Sequence, residues 1–135
     1  MDDRFQLGRL VERIGRNALL YRIANPSRNT AVCNCARVAD TFATRLIGML
    51  GKRTFSPEDG LLLKPCSSVH TLGMTFSIDA IALDRNLRVL AIRINLNPRQ
   101  FAHFDPKTHC VLELPAGQSV TTGVCVGDQL LLSKI

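Results

Sequence analysis

The chain has 135 residues, enough for about one domain. Its 46% apolar content supports a buried core and excludes a disordered chain, and no apolar run approaches the roughly 18–20 residues of a membrane-spanning helix. The 17 Lys+Arg exceed the 11 Asp+Glu, for a net charge of +6, which permits an acidic partner without demanding one.

Along the chain, Leu7, Leu10, Val11 and Ile14 follow the spacing of one helix face, with Arg9, Arg13 and Arg16 opposite. The first 28 residues hold six Arg against three acids, so residues 1–29 read as a basic, partly helical extension. Such a helix is either a solvated face or a docking surface for a partner or an anionic membrane surface. Its sequence has no uninterrupted apolar stretch and no small-residue cleavage site, which argues against a secretory signal. Asn25–Asn29 is a turn cluster, and Thr30–Val38 reads as a strand. Asp40 and Thr41 can cap a helix running to about Leu50, with Gly51 as its stop.

From Leu61 the period becomes two. Leu61–Leu63 is a short apolar run ended by Pro65. Phe76–Leu83 is apolar on both faces, as expected of a strand buried on both sides. Asp84–Asn86 turns the chain, with Asn86 able to take positive φ, and Leu87–Ile94 returns as the second strand of a hairpin. Asn95–Pro106 reads as a polar loop, Cys110–Leu114 as a strand, and Val124–Leu132 as the last strand. This is an α+β pattern dominated by short strands, forming a single domain over residues 30–135.

The five cysteines are odd in number, which argues against a disulfide framework and for reduced thiols in the cytoplasm. Cys33-x-Cys35 lacks the spacing and the second pair of a zinc site, so no metal and no cofactor are expected. Trp is absent, and Phe42, Phe55 and Phe76 sit among apolar neighbours, so base stacking on nucleic acid is weakly supported.

Two constellations can carry chemistry. Cys66 and His70 stand four apart after Pro65; a histidine base beside a thiol would generate a thiolate nucleophile, oriented by Ser67, Ser68 or Thr71 and by Asp79. The alternative is a core Cys66 and a His70 that satisfies a backbone group. Asp79 lies within a doubly buried strand, where a carboxylate must be hydrogen-bonded, either structurally or as part of a ligand cleft. Glu113, Gly117 and Asp128 read as fold-specifying, with Glu113 a strand-face charge paired with an arginine.

The ordered run Gly60-Leu-Leu-Leu-Lys-Pro-Cys-Ser-Ser-Val-His-Thr71 carries a further signal. It continues through Met74, Ile78-Asp79, Val111–Gly117, Gly123 and Val126–Asp128, with Arg45, Gly48 and Met49 upstream. Together these residues resemble domain of unknown function family 192, found in bacteria, archaea and plants, over Thr30–Leu132. The chain is similar to a short, soluble branch of it. It departs where many members carry a leader, where many have Trp before the residue matching Met74, and at Thr75 and Ser77. The resemblance implies a mainly antiparallel, barrel-like β domain with one packed helix. It implies no activity, only an association with pilus-assembly or secretion genes.

The resulting expectation is a binding or accessory domain. Its polar site comprises Ser67, Ser68, His70, Thr71 and Asp79, and its partner is a protein or small molecule. Alternatives are a thiol-dependent enzyme using Cys66 and His70, and a docking protein acting through the basic N-terminal helix.

Overall fold

The computed structural model describes residues 20–39 and 56–135. The N-terminal helix expected within residues 1–29 and the helix expected at Thr41–Leu50 lie outside the described residues.

Strands β1 (Leu20–Asn25) and β2 (Thr30–Ala39) form a hairpin. Its turn is the single 3₁₀ turn Pro26–Arg28, closed by Asn29 at φ 53°. Proline fixes the first helical φ and asparagine tolerates the left-handed exit, so the Asn25–Asn29 cluster is a turn for the reasons read from its sequence. Because β1 pairs with β2, residues 20–29 join the domain rather than the extension in which they were expected.

The remaining strands are β3 (Asp59–Leu63), β4 (Ser68–His70), β5 (Ile78–Leu83), β6 (Val89–Leu96), β7 (Phe101–His103), β8 (Cys110–Pro115) and β9 (Leu131–Lys134). Seven of them form one sheet in the order β6-β5-β8-β3-β2-β1-β9, in which only β2 and β3 run parallel. Strands β4 and β7 form a separate two-stranded ribbon. A five-residue helix, α1 (Gln118–Thr122), follows β8 between Gly117 and Gly123, both at positive φ.

The expected barrel does not form. The edge strands β6 and β9 are not paired with each other. The chain instead crosses from one end of the sheet to the other through residues 127–130, with one bridge between Arg88 and Gln129. Backbone bonds join Val89 to Asp128 and Gly127, and Leu130 to Leu87. A crossing this short ties the two ends together without building the ladder that closes a barrel.

The curled sheet has a separate apolar cluster on each face. One gathers Ile23, Val32, Leu62, Ile81, Leu83, Leu112 and Leu114 with Val124, and with Leu130 from the crossing segment that follows it. The other gathers Ala39, Leu61, Leu63, Ile78, Ala80 and Val111, and is covered by Val69 and Ala102 of the ribbon. Strand β5 contributes to both, which explains why it is apolar on both faces apart from Asp79. In the β5–β6 turn, Leu87 rather than Asn86 takes positive φ, at 66°. The Asp84 carboxylate accepts from the N–H groups of Asn86 and Arg88, which fixes the turn and moves the left-handed residue one place on. Packing of Leu87 against the first core cluster offsets that backbone cost.

The crossing is latched at Asp128. Its carboxylate accepts from Arg28 Nε at 2.7 Å and Nη2 at 3.2 Å, from Asn25 Nδ2 at 2.8 Å and from Cys125 N–H at 2.9 Å. The Arg28 guanidinium, aided by the Asn25 amide and the Cys125 N–H, holds the Asp128 carboxyl down at about 2. A carboxyl whose folded pKa lies below its ordinary 3.8 stabilises the fold above that value and loses its contribution as pH falls towards 2. Asp128→Asn therefore lowers the melting temperature at neutral pH and flattens its fall between about pH 4 and 2. An acid-melting series reads this directly; parallel curves for the two proteins would contradict the latch.

Candidate functional site

The residues singled out from sequence divide into two groups. Thr71 and Asp79 are fully buried, whereas Ser67, Ser68 and His70 are exposed and Cys66 is half-buried.

Asp79 is an internal anchor. Its Oδ1 accepts from Asn95 N–H at 2.9 Å, on β6. Its Oδ2 accepts from Gly117 N–H at 3.1 Å, Ser119 N–H at 3.0 Å and the Ser119 hydroxyl. These bonds satisfy N–H groups at the start of α1 that have no intrahelical partner. They also pin the β8–α1 corner to the strand pair β5–β6. Asp79 lies between Ile78 and Ala80, which pack beneath the ribbon, so its side chain occupies the opposite face of the sheet. The structure therefore does not bring Asp79 and His70 together.

Thr71 pins a different loop. Its hydroxyl donates to the Asn97 carbonyl at 2.5 Å and accepts from Gln100 N–H at 2.8 Å. Its carbonyl accepts from Arg99 N–H at 3.2 Å, and Arg99 sits at φ 66°. A non-glycine residue held in the left-handed region is a position the surroundings over-determine.

The ribbon carries the exposed group. Ser68 pairs with His103 and His70 with Phe101, and these four side chains share its outer face, while Val69 and Ala102 point into the core. The His70 ring lies 6.1 Å from that of Phe101 at 49°. His70 Nδ1 accepts from Leu72 N–H at 3.3 Å. The Cys66 thiol donates to the Ser68 carbonyl at 2.9 Å, and Cys66 N–H to the His109 carbonyl at 2.9 Å. These bonds hold the loop in shape; the thiol bond runs to Ser68, and His70 bonds to Leu72. Among the described residues, no three His, Cys, Asp or Glu side chains gather as metal ligands would.

The cysteines differ sharply in environment. Cys33 and Cys110 are buried, and desolvation pushes both thiols up to about 11. Two units above the ordinary 9.0 lowers the thiolate fraction about 100-fold, in addition to steric protection. Cys125, which is exposed, is expected to alkylate first and Cys33 and Cys110 only on unfolding. Peptide mass spectrometry after timed alkylation of native protein checks the order; rapid labelling of Cys110 in folded protein would contradict it.

One residue was not anticipated as a candidate. Glu113 on β8 is only 4% exposed, with no hydrogen bond or ion pair to any described residue. Among the described residues it meets no arginine, and desolvation pushes its carboxyl up to about 8. The available sequence signal was a single charge inside Cys110–Pro115, flanked by leucines in a strand apolar on both faces. Buried, unpaired titratable groups of this kind concentrate at functional sites.

A model of the family described as "Uncharacterized ACR", domain of unknown function 192, matches residues 23–132. Two solved structures share the fold. A protein of unknown function from Novosphingobium aromaticivorans DSM 12444 is 19% identical with a TM-score of 0.73, covering 84% of each chain. A protein from Sinorhizobium meliloti 1021, described as a "putative transcription regulator", is 22% identical with a TM-score of 0.72, over 85% of this chain and 93% of that one. At these identities the likeness is one of fold alone. None of the curated proteins matches the chain. Among the described residues, no helix is long and apolar enough to cross a membrane.

Proposed function

The chain belongs to domain of unknown function family 192, a membership that assigns no activity, and from that premise we propose that it is a binding domain for a protein partner. The contact face is the outer side of the β4–β7 ribbon. The observation that carries this reading is Phe101, which is 58% exposed on that face beside His70. A large aromatic left in water on a rigid strand costs the free protein and gains on docking, and aromatic anchors dominate binding energy at interfaces. Around it stand Ser68, His103 and Leu72, the last 42% exposed, which supply a polar rim and a second apolar contact.

This reading retains Ser68 and His70 as binding residues. It gives Thr71 and Asp79 the task of holding the scaffold beneath them. Partners from pilus-assembly or secretion systems are the first to test. Full-length protein and a Phe101→Ala/His70→Ala variant are immobilised, and the partner retained from a host extract is identified and titrated. Both side chains are exposed, so the variant should melt as the wild type does. Loss of an aromatic anchor corresponds to an affinity loss of about 30-fold. Equal retention of every partner by both proteins removes the ribbon face from the reading.

A further inference from the structure

Two unpartnered polar groups occupy one row on the ribbon-covered face of the main sheet. The register Arg93–Ala80–Glu113–Leu61–Arg37 runs across β6, β5, β8, β3 and β2. Glu113 has no partner among the described residues, and the Nε–H of Arg37 is buried with none. A buried guanidinium N–H left unpaired is costly, and so is a buried carboxyl; a native fold that keeps both on one face usually has something to fill the gap. The two backbones are two strands apart, about 10 Å, with Leu61 between them. Arginine and glutamate side chains can span that distance, yet the Arg37 Nε–H is left without an acceptor, so the row offers room for one small molecule held between the two groups.

We infer that Arg37 and Glu113 form a binding site for a small oxyanion, a carboxylate or a phosphate, held over Leu61 by the guanidinium on one side and the Glu113 carboxyl on the other. Arginine supplies charge and N–H donors that match such oxygens. The carboxyl serves as an O–H donor, a role open to it because burial keeps it protonated up to about pH 8. Among the described residues, the other charged or titratable groups on this face include Asp59 on β3, diagonal to Glu113, Cys35 on β2, Arg93 on β6 and Cys66, which packs against its apolar cluster. Ribbon residues Val69 and Ala102, which pack over this face, are apolar and set no competing charge. The site lies beneath the ribbon and is independent of the exposed patch around Phe101.

The test uses the full chain, with acetate and inorganic phosphate as probes, followed by NMR of the arginine Nε–H groups. A saturable shift at Arg37 with either anion is expected, and the better probe tells carboxylate from phosphate. Acetate keeps one charge over the range used, so it carries the pH series. Its affinity should fall about tenfold per pH unit above pH 8 as Glu113 ionises. Glu113→Gln retains an N–H donor and should bind with that pH dependence abolished. Arg37→Gln should weaken binding about tenfold or more, and Arg37→Lys less. No saturable shift at Arg37 with either probe overturns the site. So does binding that Arg37→Gln leaves unchanged, or a wild-type affinity flat across pH 8.

Discussion

Asp79→Ala lowers stability by about 4 kcal/mol, with a fall in melting temperature of roughly 10–15 °C for a chain of this size. The magnitude follows from what the carboxylate leaves behind. Its removal orphans the N–H groups of Asn95, Gly117 and Ser119, along with the buried Ser119 hydroxyl. Each unsatisfied buried donor costs about 1–3 kcal/mol, and the total stays below the sum because the β8–α1 corner can relax towards water. Asp79→Asn isolates the charge. The amide can still accept from one side, but its NH₂ group then opposes other donors, so a loss of about 2 kcal/mol is expected. Hydrogen exchange adds a local readout, since the amides of Asn95, Gly117 and Ser119 should lose protection first. A melting temperature within a degree or two of wild type would show that Asp79 is not the anchor its bonds describe.

The same anchor explains a gap in the sequence reading. Gln118–Thr122 contains a valine and two threonines, β-branched residues that disfavour a helix, and nothing in that stretch announces one. The helix forms because a carboxylate 38 residues upstream in sequence satisfies its first N–H groups, a tertiary cause invisible to a local pattern. Strand β7 escaped notice for a related reason. Of its three residues only Ala102 is buried, so no alternation stands out in a polar stretch. The last strand was expected from Val124, but Gly127, Asp128 and Leu130 bond to the β5–β6 region, and pairing with β1 starts only at Leu131. Where the local signal and the global fold agree, the sequence was legible. The β5–β6 hairpin follows from an apolar run, an Asp-capped turn and a second apolar run. The turn at Asn25–Asn29 follows from proline and two asparagines. In the candidate site, the sequence reads Ser68 and His70 as polar residues of a loop after Pro65, whereas they lie on strand β4. The alternation that puts them on its outer face, beside Phe101 and His103, required knowing that β4 pairs with β7.

Glu113 is expected to behave in the opposite sense to Asp79: Glu113→Gln should make the protein more stable at neutral pH, by about 3 kcal/mol at pH 7. In the unfolded chain this carboxyl titrates at its ordinary 4.5, whereas burial raises it to about 8 in the folded protein. Between those values the folded state holds a proton that the unfolded state has released. Unfolding is then favoured as pH rises, by about 1.4 kcal/mol per unit. The stability that Glu113 allows is thus complete below about pH 4.5 and is lost progressively up to pH 8. Glutamine has the same shape and no proton to lose, so the variant and the wild type should converge below pH 4.5 and diverge above it. At pH 7 the gain corresponds to a rise of roughly 10 °C in melting temperature. A Glu113→Gln protein that is less stable than wild type at pH 7 would mean the carboxylate is ionised and paired in the fold. A gap that does not change with pH would mean that the carboxyl titrates alike in the folded and unfolded chain, which burial without a partner does not allow. The expected outcome instead marks a residue that the fold tolerates at a cost. Replacing a group kept for function commonly raises stability, and replacing one kept for structure lowers it. Melting the Asp79 and Glu113 variants side by side across pH therefore separates the anchor from the binding group before any ligand is in hand.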